Sequence, residues 1–368
     1  FAGNKTAQGN QDGNDIGDFY YTPPSGFLAL CTSNLPDVAV TPSEHFNTLL
    51  YTGNASADRA ITGVGFAPDF VWAKERSNTA HHVLVDSVRG ATGGRLSSNR
   101  TNAEDNGSGV AVGSFDSDGF TTGSSYSFLN GSTPFVAWNW KAGGSGSSNT
   151  DGSITSTVSA NVDAGFSIAT FVLPTTAQTI GHGLSKAPEL IIHKGRETAT
   201  AWWTFVKPVG NTKALRLDGT GAEVTSSNFW NNTDPTSSVV TIGANSGSNN
   251  DWLMYCFHSV DGYSKFGTFT GNSNADGPFV YTGFRPAYVM IKRVDSTGHW
   301  DIRDTTRDTY NLSVKRLFPN YSSAEDSDGA WDIVSNGFKL RTTHSNINTG
   351  TMIYLAFAET PFKYSNAR

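Results

Sequence analysis

The chain has 368 residues, of which 37% are hydrophobic, 16% charged and 12% aromatic, and its formal net charge is −6. That size suits two or three domains, and the apolar content is too high for a disordered polar chain. No basic run offers the footprint that a phosphate backbone needs, and no apolar stretch nears the ~20 residues that span a bilayer, so neither nucleic acid nor membrane insertion is expected.

The 39 glycines, with abundant Ser, Thr and Asn, predict an all-β fold of short strands and tight turns. In chain order, Phe1–Asn10 is polar and Gly-rich and does not resemble a signal peptide. The missing initiator Met suggests a piece of a longer gene product. Residues 1–42 are expected to be the C-terminal end of an upstream β domain, with Asp18–Leu30 as its last strand. Cys31 and Cys256 sit in apolar, strand-like contexts and are expected as free buried thiols. There is no CxxC or HxxxH spacing, so no zinc site is expected.

From residue 43 onward the chain repeats itself. Gly65-Phe66-Ala67-Pro68 precedes the apolar run Phe70-Val71-Trp72, Gly183-Leu184 with Pro188 precedes Leu190-Ile191-Ile192, and Gly283-Phe284-Arg285-Pro286 precedes Tyr288-Val289-Met290-Ile291. Lys74, Lys194 and Lys292 follow their prolines at one spacing. Phe120, Val240 and Phe338 do so at another, and Trp140, Phe257 and Phe357 end the closing strands. These marks divide the chain into a first repeat at 43–142, a Gly/Ser linker at 143–153, a second repeat at 154–262 and a third at 263–368. Units of about 100 residues with this patterning suit two packed antiparallel sheets. The expectation is three tandem β-sandwich domains, jelly-roll-like, with an up-and-down barrel as the alternative.

Gly17 to Pro36, ending Leu28-Ala29-Leu30-Cys31-Thr32-Ser33-Asn34-Leu35-Pro36, resembles the end of SPRY-like, concanavalin-type domains in large structural proteins of marine bacteriophages. Glu44-His45-Phe46-Asn47-Thr48-Leu49-Leu50-Tyr51-Thr52-Gly53-Asn54 resembles the start of the β-rich repeat that follows such domains. The likeness continues through Val85–Gly90, Ala137–Gly143, Gly262–Gly267 and Ala358–Arg368. It implies a tail, fibre or decoration component and defines no catalytic residue.

The residues carry no nucleophile elbow, phosphate-cradling loop, Rossmann fingerprint or HExxH motif. His82 of the His81-His82 pair aligns with Trp202 and Trp300, which makes it a strand position for a large ring. Asp86 with Arg89 recurs as Asp304 with Arg307, while the second repeat holds Val206 and Val209; both pairs are expected to close turns. Glu104, Glu223 and Glu325 recur singly, unlike the paired carboxylates of glycosidases. Asp116-x-Asp118-Gly119 and Asp326-x-Asp328-Gly329 mimic the opening of a calcium loop, but no Glu closes either, so turns are expected. Trp230 has no counterpart in the other repeats. With Asn231, Asn232 and Asp234 it forms the candidate ligand-binding loop, a ring face for a pyranose flanked by groups for its hydroxyls.

The expected function is a non-enzymatic virion structural protein, a tail fibre or appendage on the particle surface that attaches to host-surface glycan. Its expected partners are other virion proteins, the host glycan or receptor, and further copies of itself, a trimer first. Capsid decoration or a stalk without a receptor is the second reading, and a polysaccharide depolymerase the third. No cofactor or metal is expected.

Overall fold

A proline cannot donate to a sheet ladder, so it suits the approach to a strand. Two residues after each repeat proline a bulky side chain enters register with the aromatic of the closing strand: Phe70 opposite Trp140, Leu190 opposite Phe257 and Tyr288 opposite Phe357. Pro286 itself lies within its strand, at a register shift. These pairs mark one point in three strand sets of the computed structural model, which describes residues 5–35, 38–107, 109–125, 127–244 and 250–361. The fold is all-β, with 43% of residues in strands.

The first set comprises β1 (Phe46–Thr52), β2 (Ala60–Thr62), β3 (Phe70–Glu75), β4 (Val83–Asp86), β5 (Val112–Asp116), β6 (Gly119–Thr122) and β7 (Pro134–Trp140). They form one sheet in the order β1-β7-β3-β4 and a second in the order β2-β6-β5. The next stretch holds β8 (Ser147–Asn149), β9 (Ser156–Asn161), β10 (Phe166–Leu173), β11 (Gln178–Gly181), β12 (Leu190–Gly195), β13 (Trp203–Val206), β14 (Lys213–Arg216), β15 (Val224–Thr225), the helical turn α1 (Ser227–Trp230), β16 (Val239–Ile242) and β17 (Asn250–Phe257). Its main sheet runs β15-β14-β13-β12-β17-β10-β9-β8, and β11 pairs with β16. The last set is β18 (Ser264–Asn272), β19 (Phe279–Tyr281), β20 (Phe284–Arg293), β21 (Asp301–Asp304), β22 (Ser313–Arg316), β23 (Asp326–Val334), β24 (Gly337–Leu340) and β25 (Thr349–Pro361). It pairs as β18-β25-β20-β21 and β19-β24-β23-β22. The sequence β1-β7-β3-β4 therefore recurs as β10-β17-β12-β13 and as β18-β25-β20-β21.

Alternation along these strands sends side chains to two different cores. On β7, Val136, Trp138 and Trp140 join one buried cluster; so do Leu253, Tyr255 and Phe257 on β17, and Ile353, Leu355 and Phe357 on β25. The intervening residues turn outward into separate clusters, each closed by its own repeat's second sheet. Rings cross between repeats within the shared cluster. The Phe70 and Tyr255 centroids lie 4.3 Å apart, those of Phe46 and Phe357 5.2 Å, and those of Phe257 and Phe357 5.9 Å. The repeats are thus packed on one another, not strung as separate sandwiches. At ~25 cal/mol per Å² of apolar surface removed from water, a core fed by three sheets is a large stabilising term.

Backbone hydrogen bonds tie the repeats in a cycle. Glu104 N–H donates to Arg196 C=O at 2.7 Å, Glu223 to Val294 at 2.9 Å, and Glu325 to Arg76 at 2.7 Å. Thr200 donates to Thr101, Gly298 to Thr220 and Ala80 to Ser322, each at 2.9 Å. Each bond type thus joins the first repeat to the second, the second to the third and the third to the first. The chain closes into a ring of three.

Several expectations are corrected. Among the described residues of 1–42 there is no strand. Asp18–Leu30 is irregular, and the segment holds an isolated Asn10–Phe19 bridge, a 3₁₀ turn at Thr32–Asn34 and the start of another at Pro42–Glu44. Cys31 is exposed, because no sheet covers its segment, whereas Cys256 is buried on β17. The 143–153 stretch is not all linker: Ser147–Asn149 pairs with Ser156–Val158. Asp326 and Asp328 lie in β23, and the turn matching Asp118–Gly119 is Asn336–Gly337, which enters Phe338 as the other enters Phe120. Pro36 and Phe362–Arg368, part of the phage-like resemblance, lie outside the described residues.

Candidate functional site

The sequence-derived candidates fall into two places: the seams between repeats and the outer core of the second repeat. At the seams, one ring nitrogen of each repeat reaches a carbonyl of its neighbour. Trp202 Nε1 donates to Ser97 O, Trp300 Nε1 to Arg216 O, and His82 Nε2 contacts Phe318 O, each at 2.9 Å. His82 Nδ1 accepts from Trp72 Nε1 at 2.9 Å, so the proton of the neutral ring sits on Nε2. Burial pushes His82 down to about 3, which keeps the ring neutral. Its role is the one the two tryptophans have.

Asp86 and Arg89 pair at 2.6 Å, and Asp304 and Arg307 at 2.5 Å, with the four side chains fully buried. Each Asp also accepts from the backbone N–H of its Arg, at 3.0 and 2.7 Å, closing the local turn. Both carboxylates do more than that. Asp86 Oδ2 accepts the Tyr255 hydroxyl at 2.8 Å, and Asp304 Oδ2 accepts the Trp138 indole at 3.1 Å, each donor coming from another repeat. Arg89 reaches on to Glu104, which also accepts from Arg196; Arg307 reaches Glu325, which takes two hydrogen bonds from Arg76. Burial opposes ionisation of Glu325, but Arg76 and Arg307 outweigh it and hold the carboxyl below its usual value.

The remaining seam uses none of this. Val206 and Val209 replace the Asp and Arg, Leu355 replaces the ring donor, and Val294 stands where Arg76 and Arg196 stand. Val206, Leu355 and Val294 all belong to the shared core, and Val209 packs against it. Acceptor, donor and cation are lost together, which avoids an unpaired buried group. Glu223, left without an arginine, pairs with Lys213.

Lys74, Lys194 and Lys292 are buried at the ends of their strands. Their amines donate to carbonyls: Lys74 to Glu75 at 2.5 Å, Lys194 to Gly195 at 2.8 Å and across the seam to Thr101 at 3.1 Å, and Lys292 to Arg293. Burial pulls each amine down to about 8.

The Trp230 loop is corrected. Trp230 is 1% exposed, donates Nε1 to Lys213 O at 2.9 Å, and packs on His193 and Phe205. Where β5 and β23 cover the outer face in the other repeats, the second has α1, capped by Ser226, and its indole fills the space. The ring cannot stack on a sugar. Asn231, Asn232 and Asp234 are exposed beside it, and Asp234 accepts from Asn211 at 2.8 Å.

The surface offers a different aromatic pair, which chain-order reading passes over. On β19, Val280 turns inward while Phe279 and Tyr281 stand 47% and 55% exposed. The Lys265 amine lies 5.2 Å from the Tyr281 ring centre. Tyr281 and Lys265, with Lys186 and Asp261, line a groove of about 650 Å³. The space at the meeting of the three inner sheets is only about 20 Å³ and lined by aromatic and aliphatic side chains, too small for a ligand. Among the described residues, no group of three His, Cys, Asp or Glu side chains is placed to hold a metal, and no helix is long and apolar enough to cross a membrane.

Residues 41–361 match the family model described as a domain of unknown function, DUF7483. No curated protein and no solved structure matches the chain.

Proposed function

We propose that this chain, which belongs to the DUF7483 family, is a non-enzymatic structural protein of a bacteriophage particle, a tail fibre or appendage component on the virion surface that attaches to host-surface glycan. The observation that carries the reading is the use made of the charged candidates. Asp86, Glu104, Asp304 and Glu325 accept from Tyr255, Arg196, Trp138 and Arg76 of neighbouring repeats, with Arg89 and Arg307 as their counter-charges, so groups that an enzyme would direct at a substrate join repeat to repeat here. The resemblance of Glu44–Asn54 and of the later segments to phage structural proteins points the same way. Other virion proteins and further copies of the chain, a trimer first, are the partners proposed with it, and native mass measurement tests the assembly.

The direct test is competition. Purified chain should reduce phage adsorption to host cells in a saturable manner, and antibody to it should label the particle surface. Surface label without competition supports the decoration or stalk reading. Absence from the particle overturns both.

A further inference from the structure

The three repeats serve as internal controls for one another. Ile61, Ile180 and Val280 face Phe120, Val240 and Phe338 in the same register, so the positions on either side correspond: Ala60 and Thr62, Thr179 and Gly181, Phe279 and Tyr281. Both other repeats carry small or hydroxyl side chains here: Ala60 and Thr62 are exposed, while Thr179 accepts from Ser153 N–H at 2.8 Å and Gly181 is buried against Asn149. The third carries two large exposed rings, which keep apolar surface in water and gain no core.

The charges beside them are also unusual. In a chain of net charge −6, the described residues that line the groove at Tyr281 include Lys186 and Lys265 against one carboxylate, Asp261. The lysines in ion pairs among the described residues are Lys207, Lys213, Lys315 and Lys339; Lys186 and Lys265 are not in that group. Neighbouring Lys339 is neutralised by Asp276 at 2.8 Å. Exposed ring faces with unpaired ammonium groups match a chain of rings that carries anionic groups.

We propose that Phe279 and Tyr281, with Lys265 and Lys186, form a binding site for an acidic polysaccharide. Apolar sugar faces stack on the two rings, and carboxylate or sulfate groups meet the two amines. This names the ligand class for the attachment role above and rests on that reading for its biological setting. Each site is weak alone and gains avidity through copies on the particle.

The test is calorimetric titration of the intact chain with polygalacturonate and dextran sulfate fragments, and with uncharged dextran of equal length. Binding is expected to the acidic chains only, weakening as salt rises. F279A/Y281A should weaken it at least tenfold at every salt concentration, K186A/K265A should weaken it and flatten the salt dependence, and Tyr310→Ala, an exposed tyrosine elsewhere, should bind as the parent. Melting temperatures should be unchanged, because these side chains are outside the cores. No binding to acidic glycan, equal binding to dextran, preference for a single-stranded oligonucleotide, or full binding by F279A/Y281A overturns the site. Adsorption competition by the parent chain without glycan binding leaves attachment standing and removes this site. Glycan binding at these residues without competition does the reverse.

Discussion

The indole of Trp138 donates to the carboxylate of Asp304 across 3.1 Å, joining the closing strand of the first repeat to the third. Asp304 also holds Arg307, whose side chain is fully buried. Asp304→Ala should therefore cost about 3–5 kcal/mol, because it leaves a buried guanidinium without its main counter-charge. Trp138→Phe should cost more than the ~1 kcal/mol of a lost hydrogen bond, since it also opens space in the core. Urea unfolding of both variants checks the order.

The apolar seam is predicted to reject a single polar residue. Val206→Asp places a carboxylate against the shared core with neither a ring donor nor an arginine beside it, and should destabilise by roughly 3 kcal/mol or more. Adding Val209→Arg should recover part of that loss. If V206D unfolds at the parent's urea midpoint, the seam is wet and the argument from Leu355 fails.

His193 gives the pH prediction. It is fully buried between Trp230 and Trp252, both ring nitrogens lack a protein partner, and burial pushes it down to about 3. Because the folded value lies below the unfolded ~6.5, the unfolded chain takes up the proton first. The contribution of this group is complete above pH 6.5 and is lost as pH falls from there toward 3. His193→Phe should remove that share, on the order of 3 kcal/mol by pH 4, and flatten the stability curve between pH 6.5 and 4. An unchanged slope would show that His193 does not titrate on unfolding.

The two thiols should separate cleanly. In the native chain a thiol reagent should modify the exposed Cys31, while Cys256, buried on β17 with its thiol pushed up by desolvation, should react only in denaturant. Peptide mass mapping before and after unfolding reads this directly.

Much of the ring is written in the sequence. The spacing from each proline to its lysine and to Phe120, Val240 and Phe338 marks equivalent positions, and the alignment of His82 with Trp202 and Trp300 foretells a shared role. The common core was harder to read. Its signal is the unbroken apolar run of the closing strands, Phe135–Trp138 and Trp252–Phe257, which lacks the alternation of a sheet with one wet face. Trp230 misleads because one repeat lacks the covering strand that the others have, and local composition does not report which neighbour is missing. Phe279 and Tyr281 become visible only when the repeats are laid on each other at the buried residue between them.

The central claim is that the third repeat closes back on the first. Arg76 and Glu325 meet at 2.7 Å with little solvent around them, although they are 249 positions apart in the chain. A double-mutant cycle with Arg76→Ala, Glu325→Ala and the double variant, followed by urea unfolding, isolates their interaction. Closure predicts a coupling of at least ~1 kcal/mol, since the bond is bidentate and largely desolvated. A coupling indistinguishable from zero would mean that the two side chains do not meet, and the ring would be contradicted.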